Sequence, residues 1–333
     1  MQRTRDDTAA LCAEAVSMEA GARALDALAR LRGAPLTESD PALARRLVQL
    51  RHAASREMIR TQRPSGATVP RLHGQAGLPI EPPPGASLDS LTGASVRAQF
   101  QRHGCVLVRN MVPPQVVAKL IATIDRAFAA SDAFVKKRPR EAGWFEPILD
   151  VAGGAETRGW VREAGGVLAA DSPLALEILL RAYAELGIER LVADYFGERP
   201  AIAAEKTTLR KIHVTHESDW HQDGRFLGTN IRSLNVWVAL TDCGVEAPGL
   251  DVVPLYPDRV METGTGKARF DWTIDHGVVL REFGANAIWC PHFQAGDALL
   301  FDHMLVHRTG YGSSMTRTRY ALETWFLAPS AYL

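Results

Sequence analysis

The chain has 333 residues, 46% of them hydrophobic and 23% charged, with 38 Lys plus Arg balanced by 38 Asp plus Glu. That composition fits a folded globular protein rather than a disordered one, and a net charge of zero argues against the basic surface that non-specific nucleic-acid binding needs. No apolar run reaches the roughly 20 residues of a membrane helix, and Cys12, Cys105, Cys243 and Cys290 form neither a CxxC pair nor a disulfide frame.

The first 25 residues lack a signal-peptide core and carry early acids (Asp6, Asp7, Glu14, Glu19), so a cytoplasmic protein is expected. Residues 1–62 read as a helical N-terminal extension. Leu11, Val16, Leu25, Leu28 and Leu31 recur at near-helical spacing. A second helix starts at Ser39-Asp40-Pro41, with a capping residue and then proline in the first turn. Leu43, Leu47, Leu50, Ala54 and Met58 then share one face, to cover the main domain or to form a dimer contact. Residues 63–92 read as a Pro/Gly-rich linker, containing Pro82-Pro83-Pro84-Gly85.

From 93 to 333 the pattern is helices first and strands later. Val106–Val108 reads as a strand. Helices open at Pro113-Pro114, with Val117, Leu120, Ile121, Ile124 and Phe128 inward, and at Asp171-Ser172-Pro173, with Leu176, Leu179, Leu180 and Tyr183 inward. After residue 200, short strands are expected at 234–240, 251–253, 278–280, 298–301 and 320–327, separated by Gly, Pro and Asp. The fold class is therefore mainly β with flanking helices, a sandwich or barrel with helices packed outside.

Seven of the ten histidines (His213, His216, His221, His276, His292, His303, His307) fall between residues 213 and 307. Within that stretch, Trp220-His221-Gln222-Asp223 holds the only His-x-Asp of the chain. On a strand, residues two apart face one side, so His221 and Asp223 can reach one metal. A second histidine would complete the facial triad of a non-haem Fe(II) oxygenase. Alone the motif is weak. It gains weight from Gly296-Asp297, the 298–301 strand, His307, and Arg317-Thr318-Arg319-Tyr320-Ala321-Leu322 leading into the last apolar strand. An arginine there can present a bidentate fork to a carboxylate deep in a barrel.

With these blocks, WHQDG followed by NVWVALTD and GDALLFDHMLVHRTG followed by RYAL, the sequence resembles the phytanoyl-CoA dioxygenase family of Fe(II)/2-oxoglutarate oxygenases over roughly residues 100–327. The opening Phe100-Gln101-Arg102-His103-Gly104-Cys105-Val106-Leu107-Val108 is also similar. The resemblance implies a double-stranded β-helix core, jelly-roll and cupin-like. It implies His221, Asp223 and His307 as iron ligands, Arg319 as partner of the distal carboxylate of 2-oxoglutarate, and Thr309 and Trp237 beside that co-substrate. It implies Fe(II), 2-oxoglutarate and O2 as cofactors, with oxidation of a small molecule and release of succinate and CO2. No catalytic side chain beyond the metal site is singled out, and the substrate-binding residues are not assigned. The departures are Ala247-Pro248-Gly249-Leu250 and Val253-Pro254-Leu255-Tyr256, where the family often has Asn-Gly and Pro-Gly-Ser-His.

Several residues keep a second reading. His303 is the rival of His307, and Arg317 of Arg319. Trp237 is a core residue by default, and Thr309 a turn hydroxyl. His213 and His216 read as loop histidines, and Asp302 as a histidine-orienting acid or a surface one. Thr207 and Lys211 are candidates for an upstream co-substrate contact. Two other function classes stay open: a metal-dependent cupin-type isomerase or hydrolase with no need of Arg319, and a non-catalytic relative acting as a binding module. The expected partner is a small-molecule substrate, with no nucleic acid and no membrane.

Overall fold

Helix α1 (Ala24–Arg32) and helix α2 (Pro41–Gln62) open the chain in a computed structural model that describes residues 23–32, 40–62, 79–150, 153–214 and 218–332. Asp40 caps α2, its Oδ1 accepting the Leu43 N–H at 3.0 Å. Leu43, Leu47, Leu50 and Ala54 pack against Ala24, Ala27, Leu28 and Leu31 of α1. Full burial of each leucine stabilises the pair by roughly 1.5–3 kcal/mol. Ala44 and Val48 join the main core from the other side of α2. The first helical expectations, Leu11 and Val16, and residues 63–78 of the expected linker lie outside the described residues.

The end of that linker is structured. Strand β1 (Gly85–Ala86) pairs in parallel with β2 (Cys105–Val108) and adds an edge to the main sheet. Between them runs α3 (Gly93–His103), closed by a capping box at Thr92 and Ser95. Gly104 ends it at φ +69°, where a Cβ would lie 2.4 Å from the Leu255 carbonyl oxygen, so only glycine turns the chain there.

Next come α4 (Pro114–Val135), α5 (Gly154–Glu163), β3 (Gly166–Leu168), α6 (Pro173–Glu185), α7 (Ile188–Phe196), β4 (Ala201–Ile202), β5 (Thr208–Ile212), the single turn α8 (Gly224–Leu227), β6 (Ile231–Ala239), β7 (Gly249–Val252), α9 (His276–Phe283), β8 (Ala298–Phe301), β9 (His307–Gly310) and β10 (Arg319–Tyr332). The main sheet runs β1-β2-β8-β6-β10-β5-β3, with β4 also on β10; β7 and β9 form a second, two-stranded sheet.

Strand periodicity separates two cores. On β6, Leu234, Val236 and Val238 face outward under α3, α4, α6 and α7, joining Phe100, Ile124, Leu179 and Val192. Trp237 and Ala239 face inward with Leu299, Phe301, Ala321 and Trp325, and meet Leu250 and Val252 of the second sheet. The space between the two sheets is the barrel interior, and the architecture is the expected jelly roll.

One expected strand is a helix. Residues 278–280 lie in α9, with Val278 and Val279 buried and Leu280 37% exposed. A three-residue apolar run carries no period of its own. The flanking Asp275 and Gly284 (φ +81°) are helix start and stop residues, and they decide the outcome. Among the described residues no helix is long and apolar enough to cross a membrane.

Candidate metal centre

His221 and His307 are joined by an isolated antiparallel bridge, with His221 N–H donating to the His307 carbonyl at 2.9 Å and the reverse bond at 3.1 Å. Asp223 does not continue a strand as the sequence pattern suggested. It sits at φ −65°, ψ −20°, ahead of α8. The chain turns there, and the turn brings the carboxylate back to the imidazoles. The ligand atoms of His221, Asp223 and His307 all lie within 4.8 Å of one another. His307 Nε2 is 3.6 Å from Asp223 Oδ2.

The protonation pattern suits a cation. His221 Nδ1 faces the Asp219 carbonyl at 3.2 Å, and His307 Nδ1 faces the Leu305 carbonyl at 3.0 Å. A carbonyl only accepts, so each Nδ1 carries the proton and each Nε2 keeps a free lone pair. Burial, then the neighbouring His307, push the His221 pKa down to about 4; burial also lowers His307. Both rings are therefore neutral at pH 7. Burial, partly opposed by His221, raises Asp223 to about 6, so it is largely ionised at pH 7. Its Oδ2 is buried without a hydrogen bond. Two neutral imidazoles and a carboxylate with an idle oxygen could hold a divalent first-row metal.

Arg319 opens β10 on the inner face, 2% exposed. Its Nη1 donates to the Gly249 and Pro248 carbonyls, while Nε is buried without a partner. Burial draws its pKa down to about 10, so it stays charged at neutral pH. Among the described residues no carboxylate pairs with it. Its guanidinium lies 5.5 Å from the Trp237 ring centroid, and Trp237 packs on Phe293 at 4.8 Å. Thr309 lies two residues beyond His307 on β9, on the same face.

The rivals are placed elsewhere. His303 lies outside the three-residue group, and its Nδ1 is 2.8 Å from Ser233 Oγ. Arg317 is exposed and pairs with Glu246 at 3.1 Å. Asp302 is buried but orients no candidate ligand; it accepts from Tyr256 Oη and the Met304 N–H. Lys211 points outward to Asp125 at 2.6 Å, and Thr207 donates to the Ala203 carbonyl. His213 is exposed beside Thr318, and His216 lies outside the described residues.

Sequence reasoning missed three features. Glu323 alternates inward on β10 with Arg319 and Ala321, and bonds Arg210 at 2.8 Å. Burial raises its pKa, but Arg210 and the two imidazoles outweigh this and hold it below the usual range. Its spacing from Arg319 was the available signal. Asn235, opposite Phe301 and Trp325, is buried with no hydrogen bond to either side-chain polar atom. Trp272 stands edge-on to His221 at 5.8 Å, from a loop that carries no periodicity.

Residues 100–319 match the phytanoyl-CoA dioxygenase (PhyH) family. Among solved structures the chain is similar to EctD from S. alaskensis with 2-oxoglutarate and 5-hydroxyectoine, at 18% identity and TM-score 0.50, covering 80% of this chain and 82% of that one. It is similar to EctD from S. alaskensis with bound Fe at 17% identity and TM-score 0.50, covering 80% and 83%. At these identities the likeness speaks to the fold. No curated protein sequence matches the chain. The match over most of the β-rich region, around the His–Asp–His group, places this chain in the phytanoyl-CoA dioxygenase family.

Proposed function

We propose that the chain is an Fe(II)- and 2-oxoglutarate-dependent dioxygenase that hydroxylates or otherwise oxidises a small molecule, with release of succinate and CO2. One pairing carries the reading: a His–Asp–His group and, in the same barrel, a buried guanidinium that no carboxylate among the described residues pairs with. A metal-dependent hydrolase or isomerase would not need that guanidinium, whereas the far carboxylate of a dicarboxylate co-substrate would pair with it.

In this reading His221 and His307 hold the metal through Nε2, and Asp223 through a carboxylate oxygen. Arg319 takes the far carboxylate of 2-oxoglutarate, with Thr309 and Trp237 beside it. Bound iron supplies O2 activation coupled to decarboxylation of the co-substrate. The protein's own groups fix the tautomers through the Asp219 and Leu305 carbonyls. The Trp237, Phe293 and Phe301 rings exclude water around the co-substrate. We take residues 93–333 as the catalytic unit, with the N-terminal helices as its cover.

The test is turnover. With Fe(II), 2-oxoglutarate and O2, succinate should form, and a panel of small molecules should include one that raises its rate and gains oxygen or loses hydrogen. At a 2-oxoglutarate concentration that saturates the wild type, Arg319→Ala should lose most succinate formation while metal content is unchanged. Absence of 2-oxoglutarate turnover in folded, iron-loaded protein across the panel would overturn the proposal.

A further inference from the structure

Trp272 is the hub of an aromatic cluster at the candidate metal centre. It meets His221 edge-on (5.8 Å, 88°), Trp160 of α5 edge-on (5.8 Å, 84°) and Phe226 of α8 edge-on (5.6 Å, 71°). Phe270 lies parallel to it (5.4 Å, 5°). Three separate segments supply these rings. Trp160, Phe226 and Phe270 are 45%, 49% and 45% exposed. Large rings gathered in contact yet left open to water mark a surface that something covers.

The loop carrying Phe270 and Trp272 is fastened to the segment that carries His221. Asp219 Oδ2 accepts the Arg269 N–H at 2.6 Å and the Thr273 hydroxyl at 3.0 Å. The Ile274 N–H donates to the Trp220 carbonyl at 2.7 Å. The rings are therefore fixed relative to His221 rather than swept there by a free loop.

We propose that this cluster is the substrate-binding face of the site, and that the substrate is a small molecule with a flat ring system. Phe270 and Trp272 share one plane direction, and Trp160 and Phe226 stand steeply to it. These are rigid walls that offer stacking and edge-to-face contacts to a planar guest. A flexible aliphatic chain would lose its own conformational freedom there and gain no such geometry. Contact between Trp272 and His221 puts the guest beside the metal centre, so the carbon oxidised lies on the ring system or next to it. The chemistry rests on the oxygenase reading; the binding does not.

The probe is 2-naphthol, with 1-octanol as an acyclic alcohol of comparable hydrophobicity, each measured by equilibrium dialysis against the full chain without metal. 2-Naphthol should bind at least tenfold more tightly than 1-octanol. Trp272→Ala and Phe226→Ser should each weaken it about tenfold. Phe226 is 49% exposed, so Phe226→Ser tests the face even if Trp272→Ala unfolds, and a cooperative melt checks that it is folded. Equal binding of the two alcohols, or unchanged 2-naphthol binding in folded Phe226→Ser, overturns the proposal. The wild-type absorption band with Fe(II) and 2-oxoglutarate separates the two readings. A band without 2-naphthol binding rejects the ring site alone. Binding without a band rejects the oxygenase chemistry and leaves the ring site standing.

Discussion

His221 and His307 exchange backbone hydrogen bonds in both directions, and their rings lie 4.2 Å apart. The two residues are far apart in sequence, and this bridge brings together two parts of the candidate centre. Asp223 reaches them because the chain turns immediately after Gln222, itself buried with its side-chain amide donating to the Met304 carbonyl at 2.6 Å and its Oε1 accepting the Met261 N–H at 2.7 Å. Backbone pairing and a buried amide thus position the three side chains.

Metal binding should release a proton at mildly acid pH. Asp223 has a pKa of about 6, above its ordinary 3.8, and must ionise to bind; His221, at about 4, is already neutral. Apparent metal affinity should therefore fall about tenfold per pH unit below 6 and level off above about 6.5. Calorimetry in two buffers of different ionisation enthalpy reads the proton directly. Glu323→Gln removes a negative charge that raises Asp223, so the midpoint should move to lower pH.

The same shifts set the pH response of the metal-free fold. A carboxyl raised from 3.8 to about 6 makes the fold lose stability as pH climbs through that window. A histidine lowered from 6.5 to about 4 makes it gain stability from about pH 4 to 6.5. The two slopes oppose, so these groups leave metal-free stability nearly flat there. Asp223→Asn removes the falling slope, and urea titrations at pH 4.5 and 6.5 should then show the variant more stable at the higher pH.

Arg319→Met should raise the 2-oxoglutarate concentration for half-saturation by about a hundredfold, the loss of one buried charged contact worth ~3 kcal/mol. Metal affinity should not change. Because Arg319 is a buried charge that no carboxylate among the described residues pairs with, the metal-free variant should melt no lower than wild type. A fall of several degrees would show that its bonds to the Pro248 and Gly249 carbonyls matter more than the buried charge.

Arg51 of α2 and Glu177 of α6 form a buried two-point pair, Nε to Oε1 and Nη2 to Oε2, each 2.7 Å. Arg51→Ala leaves Glu177 buried alone and should cost about 3–5 kcal/mol in chemical denaturation. The double variant Arg51→Met, Glu177→Leu should regain most of that loss.

The Trp220 indole N–H donates to His276 Nδ1 at 3.0 Å. His276→Phe leaves that buried donor unmade and should destabilise by about 1–3 kcal/mol. His276→Gln, which restores an acceptor, should recover part of it. Thermal melts of the three proteins decide the point.

Much of this architecture is legible in the sequence itself. Strong periodicity located Leu43 to Met58 on one helix face and Ala298–Phe301 as a strand, because burial on one side leaves a repeat in the sequence. The His221-x-Asp223 pair was visible only as a weak motif, and the set with His307 came from the resemblance to the phytanoyl-CoA dioxygenase family. What stayed hidden depends on long-range packing. Residues 278–280 are too few to show a period, and Gly85–Ala86 becomes a strand only because β2 offers an edge. Trp272 reaches His221 through bonds between Asp219 and a loop some fifty residues later, which no local pattern encodes. Asn235 reads as an ordinary strand residue until its amide is found buried and unbonded.

The central claim is that His221, Asp223 and His307 hold iron together with 2-oxoglutarate. Anaerobic addition of Fe(II) and 2-oxoglutarate to the full chain should give the weak visible charge-transfer band of their chelate, lost in His221→Ala. A folded wild-type protein without the band, or a His221→Ala variant that keeps it, would contradict the account.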